Sequence, residues 1–143
     1  MLKKITARIL LKKKCILVNG VEIKLPPKEL AFYLWLSQCP EKKINVDRQF
    51  CINPTYSASY LKVYSMIASD SRVFASFNVD REIVERHTEE FISALPGFKP
   101  LEKEWVQQAR SKINNQLKKW LEPAVAEIVE IGSYEYNTQL HEV

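Results

Sequence analysis

Residues 15–36 read CILVNGVEIKLPPKELAFYLWL, and local rules divide them into strand, turn, strand and helix. Cys15 to Val18 is a short apolar run, and Val21 to Leu25 alternates apolar and polar residues. Asn19-Gly20 between them is the pair that a type I′ hairpin turn selects, because both central residues need positive φ. Upstream, Ile5 to Leu11 is rich in β-formers and supplies a third antiparallel strand. Pro26-Pro27 then closes the sheet and opens a helix, since proline is tolerated in the first helical turn. Leu30, Ala31, Leu34 and Leu36 with Phe32, Tyr33 and Trp35 make that helix apolar over most of its circumference. Such a helix belongs at the centre of a core, and it should end near Gln38, before Pro40. Glu29 sits early in it, where the helix dipole favours a carboxylate; this explains it better than catalysis does.

The chain has 143 residues, one domain's length and enough to bury a core without covalent staples. Apolar content of 46% and charged content of 27% place it among globular chains. No apolar run approaches a membrane span, and the N-terminal segment MLKKITARILLKKKC lacks the cleavable pattern of a leader. Cys15, Cys39 and Cys51 are an odd number without Cys-x-x-Cys spacing, which points to free thiols in a reducing cytoplasm. The net charge of +4 hides a gradient. Residues 1–14 carry Lys3, Lys4, Arg8, Lys12, Lys13 and Lys14 with no acid, and residues 110–119 carry Arg110, Lys112, Lys118 and Lys119 with no acid. From Glu122 onward Glu122, Glu127, Glu130, Glu135 and Glu142 meet no Lys or Arg. A polyanion is therefore attracted by two segments and repelled by the tail. Lysines at the sheet also discourage edge-to-edge aggregation, an explanation that needs no ligand.

Between residues 40 and 54 a loop with a short strand at Ile44 to Val46 is expected. Pro54 opens a helix with Tyr60, Leu61, Tyr64, Ile67 and Ala68 at helical spacing, capped by Asn53 or Thr55, its aromatics read as core. Val73 to Phe77 fits a strand or a helix extension. Asp80 caps a helix to Leu95 with Ile83, Val84, His87, Phe91 and Ala94 along one side, ended by Leu-Pro-Gly-Phe-Lys-Pro.

Trp105 to Leu121, WVQQARSKINNQLKKWL, is the amphipathic helix of the chain. Val106, Ala109, Ile113, Leu117 and Trp120 fall on one stripe at about 100° per residue. The opposite face centres on Gln107, Gln108, Ser111, Asn115 and Lys118, with Lys112, Asn114 and Lys119 on its shoulders. It holds no acid and every side chain on it can donate a hydrogen bond. Such a face can meet phosphates and base edges, and it can equally be a solvated surface. After Pro123, the run Ile128, Val129 and Ile131, then Gly132-Ser133, then Tyr134, Tyr136 and Leu140 reads as two strands around a turn.

Site chemistry for an enzyme is missing. His87 on a helix side and His141 near the end have no Cys or acid at metal-ligand spacing. Gly20, Gly97 and Gly132 form no phosphate-cradling loop. No catalytic residue, metal or cofactor is expected, and a binding or structural module is.

The order sheet, helix, helices, long helix, hairpin resembles the winged helix-turn-helix of OmpR-type response-regulator effector domains. CILVNGVEIKLPPKELAFYLWL is similar to that family's strand, turn, strand and first helix, and INNQLKKWL with EIVEIGSYEYNTQL resembles its recognition helix and wing. Leu25 to Leu36, Ser111 to Leu117 and Tyr136 to Leu140 resemble more closely the C-terminal winged-helix region of CRISPR-associated ring nucleases, in which it follows a CARF domain. The resemblance implies an α+β fold over residues 1–143: an N-terminal antiparallel sheet (1–25), a helical core with an inserted helix (26–121), and a C-terminal β-hairpin wing with a tail (122–143).

It also implies a nucleic-acid-binding module of CRISPR-associated type. In that role Gln108, Ser111, Lys112 and Asn115 of the long helix face bases in a major groove, while Arg110, Lys118, Lys119 and Lys12, Lys13 and Lys14 hold phosphates. Three departures matter. The similarity starts at the sheet, so cyclic oligoadenylate binding and cleavage by a CARF domain are not implied. Residues 39–79 make a longer connection than in response regulators. Glu130 and Glu135 stand where a DNA-binding wing offers Arg or Lys, which costs affinity for phosphates. The alternative is a protein-interaction or dimerisation module that docks a CARF-domain protein, a CRISPR effector subunit or a second copy, without a membrane role.

Overall fold

In a computed structural model that describes residues 7–68, 70–132, 136–137 and 141–142, three antiparallel strands open the chain. They are β1 (Ala7–Leu10), β2 (Cys15–Val18) and β3 (Val21–Lys24). Asn19 and Gly20 both have positive φ, 47° and 84°, as the I′ turn requires. The register pairs Cys15 with Lys24 and Val18 with Val21. Ala7, Ile9, Ile16, Val18 and Ile23 are buried in the core.

Helix α1 (Pro27–Gln38) starts on the expected proline and buries every residue from Glu29 to Leu36. It is surrounded rather than merely packed, touching α3 (Pro54–Ile67) and α7 (Lys103–Trp120). Tyr60 Oη of α3 donates to the Lys28 carbonyl at 2.8 Å, and Trp35 Nε1 donates to Ser59 Oγ at 2.9 Å. The rings of Phe32, Tyr60 and Trp105 meet edge-on or tilted, with Tyr60 and Trp105 centroids 4.9 Å apart. This aromatic knot ties three helices together, each pair adding to the burial of large apolar surfaces. The α3 rings Tyr60 and Tyr64 are core, in keeping with their helical spacing. Asn53 caps α3, its side chain accepting from Thr55 N.

Other parts differ from expectation. Residues 40–54 hold a two-residue strand β4 (Lys43–Ile44) and a short helix α2 (Arg48–Ile52) capped by Asp47. Val73 to Phe77 falls in and just after a helix, α4 (Ser71–Ser76). The single helix expected from Asp80 to Leu95 is two, α5 (Arg81–Arg86) and α6 (Glu89–Ser93), because Thr88 starts a new cap, accepting from Phe91 N. The break shifts the phase: Ile92 is buried, whereas His87, Phe91 and Ala94 are exposed, with His87 stacked on Phe91.

The largest correction concerns the C-terminal region. Ile128 and Val129 are not strand but the end of helix α8 (Pro123–Val129), which opens on proline and buries Ala126 and Val129 one turn apart. Tertiary contacts fix it: Tyr33 Oη of α1 donates to the Val129 carbonyl. Strand β5 (Tyr136–Asn137) pairs antiparallel with β4, and β6 (His141–Glu142) pairs parallel with β1. The strand order of the larger sheet is β3-β2-β1-β6. Tyr134, Glu135 and Leu140, expected in the hairpin, lie outside the described residues. The architecture is α+β, and no described helix is long and apolar enough to cross a membrane.

Cys15, Cys39 and Cys51 are free thiols, and burial pushes Cys39 up to about 11, far from thiolate chemistry at neutral pH.

Asn114 anchors the chain after α8. It is 5% exposed; its Nδ2 donates to the Ile131 carbonyl at 2.9 Å and its Oδ1 accepts from Ile131 N at 2.8 Å. Asn114→Ala should cost about 1–3 kcal/mol in urea unfolding, since it removes two buried hydrogen bonds and leaves the Ile131 N–H without its acceptor, while the Ile131 carbonyl keeps Arg110 Nε. Asn114→Asp should be nearly as damaging, because it cannot donate to the carbonyl. Acid should act at a different place. The Arg72 guanidinium and backbone N–H hold the exposed Asp70 carboxyl down at about 2. Its contribution is therefore present above the ordinary value near 3.8 and is lost as pH falls through 2. The stability difference between wild type and Asp70→Ala should shrink over that window in an acid titration followed by circular dichroism.

Candidate functional site

The outer face of α7 is where the expected residues come together. Val106, Ala109, Ile113 and Leu117 are buried, and Gln107, Gln108, Ser111, Asn115 and Lys119 are exposed on the other side. A shallow groove of about 330 Å³ lined by Glu104, Gln107, Gln108, Ser111 and Lys112 runs along its N-terminal half. Two residues of the expected pattern lie elsewhere. Asn114 is buried rather than on the shoulder of the polar face, because Ile131 closes over it. Trp120, assigned to the core stripe, is 55% exposed: the helix ends there, and the extended Leu121 leads away to α8.

The sheet register brings the second basic segment to the end of the sheet that touches α7. The turn at Lys12, Lys13 and Lys14 leads directly into Cys15, whose cross-strand partner is Lys24. The Lys24 carbonyl in turn accepts from Gln116 Nε2 of α7 at 3.2 Å. The Lys12–Lys14 turn thus lies at the end of the sheet that α7 contacts. All three lysines are exposed, and Lys13 Nζ is 3.0 Å from Glu22 Oε1, a solvent-exposed pair worth little.

The cations of α7 are less free than their sequence suggests. Lys112 Nζ lies 3.4 Å from Glu29 Oε1, and Glu29 is 3% exposed. Lys118 Nζ lies 3.8 Å from Glu130 Oε2, an atom without a hydrogen-bond partner. Arg110 Nε donates to the Ile131 carbonyl at 3.1 Å. Lys119 Nζ sits 5.4 Å from the centre of the Trp120 ring. Two of these four cations therefore each face a carboxylate from the protein's own interior side, one of α1 and one at the end of α8. Glu29 is legible in the sequence as a dipole-favoured acid, but its partner is not, since the pairing spans the fold. Helix α7 also carries Trp105, whose ring lies 5.1 Å from Lys28 Nζ.

What this arrangement offers is recognition by hydrogen bonds. Amide and hydroxyl groups stand in the open on one helix, with moderate positive charge around them. Among the described residues, no three metal-ligating side chains converge. The chain matches no family model, no curated protein and no solved structure.

Lys112→Ala should destabilise the protein by about 1–2 kcal/mol in urea unfolding, because it leaves the buried Glu29 carboxylate without a countercharge. Glu29→Gln should recover part of that loss in the double variant. Asn115→Ala, exposed and off the core, should change stability by less than about 0.5 kcal/mol.

Proposed function

We propose that the chain is a winged-helix nucleic-acid-binding module of CRISPR-associated type, with α7 as its recognition helix. The observation that carries the proposal is the exposed outer face of α7, a row of hydrogen-bonding side chains fixed on a helix that α1, β3 and α8 hold from behind. Gln108, Ser111 and Asn115 reach toward bases, and Lys119 with the Lys12–Lys14 turn meets phosphates. The order of sheet, buried first helix, further helices and long amphipathic helix supports the winged-helix assignment. In place of a basic wing, α8 and its following segment flank α7, with Glu130 drawn onto Lys118.

A protein-interaction role is the second reading, favoured by the pairing of Lys112 and Lys118 with carboxylates and by exposed apolar side chains. Trp120 at 55% and Ile128 at 48% exposure stand on α7 and on the α8 that follows it. A second copy, a CARF-domain protein or a CRISPR effector subunit would dock there.

A gel-retardation experiment separates the two. Micromolar protein should retard nucleic acid in about 50 mM salt and release it as salt rises. The triple variant Gln108→Ala, Ser111→Ala, Asn115→Ala should keep wild-type thermal stability and bind at least about tenfold more weakly. Absence of retardation, with dimer-sized light scattering lost on Trp120→Ala, would instead assign the C-terminal end of α7 to protein contact.

A further inference from the structure

The segment that joins α1 to α3 walls two adjoining cavities, neither of them lined by α7. The smaller, of about 280 Å³, lies between the C-terminal end of α1, the start of α3 and Glu89 of α6. The larger, of about 710 Å³, shares Cys39, Pro40 and Tyr56 with it and adds Lys43, Asp47 and Phe50 among its walls. Tyr56 is thus a wall of both. Its half-buried ring lies 4.4 Å from that of Phe50 and 6.4 Å from that of Trp35, measured between centres. Ile44 and Phe50, 5% and 3% exposed, make the larger cavity's floor apolar.

The charge offered in this space is negative. Helix α1 ends here with no Lys or Arg in its last turn, so nothing basic offsets the negative pole of its dipole. Glu89 and Asp47 are exposed and enter no ion pair among the described residues. The lining cation Lys43 is already engaged, its Nζ 3.1 Å from Glu41 Oε2. Helix ends account for part of this pattern. Asp47 caps α2 by accepting from Phe50 N, but through Oδ1 alone. Glu89 stands in the first turn of α6, where Glu90 already supplies an acid.

We propose that these joined cavities bind an aliphatic ammonium group, with Glu89 and Asp47 as its countercharges and Tyr56 as the ring beside it. This site goes beyond the nucleic-acid reading and does not depend on it. An ammonium is drawn by carboxylates and by the face of an aromatic ring, while its apolar stem covers the rings and Ile44. An anion would meet two carboxylates and a helix C-terminus. The same chemistry is carried by a free polyamine and by a lysine side chain of a peptide.

The test follows backbone amide signals of the isotope-labelled full chain by nuclear magnetic resonance. Its probes are spermidine, the blocked peptide Ala-Ala-Lys-Ala-Ala, and magnesium at matched ionic strength. Spermidine or the peptide should shift Gln38, Tyr56 and Glu89 saturably, and the tighter of the two identifies the source. Magnesium, which has no apolar stem, should leave these signals in place. Glu89→Gln and Asp47→Asn should each weaken binding at least about threefold, and asparagine keeps the α2 cap. Tyr56→Leu should weaken it by about as much and Tyr56→Phe should not. No saturable shift with either amine, equal shifts with magnesium, or unchanged affinity in the double variant Asp47→Asn, Glu89→Gln overturns the site. The α7 triple variant should bind the amine as wild type does, so failure here leaves the nucleic-acid reading standing, and failed retardation leaves this site standing.

Discussion

A helix in which every residue from Glu29 to Leu36 is buried has no face to show to water, and the rest of this protein is arranged to cover it. The sheet and the α3 and α7 helices lie around it, and Tyr33 reaches α8 through the Val129 carbonyl. Each large side chain so buried contributes about 1.5–3 kcal/mol, which no local propensity of the surrounding segments matches. The consequence for function is positional. A helix that covers α1 with one stripe has its opposite stripe turned to solvent by necessity, and α7 is the longest of them. The outer face of α7 is thus a by-product of enclosing α1, and its chemistry is free to serve a ligand.

That freedom is limited by charge. Glu29 is buried at the start of α1, where the helix dipole favours it, yet it still needs a countercharge, and Lys112 supplies one. Glu130 ends α8 next to Lys118. Both lysines are more than half exposed while their acids are not, so each reaches down from the surface to its partner. A phosphate that approached either would have to compete with a carboxylate already in place.

What the sequence displayed and what it concealed divide along the range of the forces. The Asn-Gly turn, the proline that opens α1, the Asn53 cap of α3 and the α7 stripe are set by residues a few positions apart, and each stands where local rules place it. The start of α6 is written in Thr88 as well, whose side chain accepts from Phe91 N, but an apolar periodicity running through it suggests one continuous helix. Helix α8 is concealed for a physical reason. Ile128, Val129 and Ile131 are β-branched and read like a strand, and seven residues are too few for helix propensity to show. It forms because α1 and α7 accept its buried side, a contact made across most of the chain. In the candidate site, the exposed amides and hydroxyl are legible from the helical wheel. The burial of Asn114, the exposure of Trp120 and the two inward-drawn lysines are not, since each depends on where another segment passes.

The internal pairing also bears on the chemistry that the outer face of α7 presents to solvent. Affinity for a nucleic acid divides between counterion release, which needs many free cations, and short-range contacts, which need open donors and rings. On α7 the first is reduced at Lys112 and Lys118, while open donors stand at Gln108, Ser111 and Asn115. A ligand held mainly by short-range contacts discriminates by shape and by unpaired edges more than by charge density. The same carboxylates would weaken general attraction to polyanions, and the groups that stay open on this face are mostly neutral hydrogen-bonding side chains.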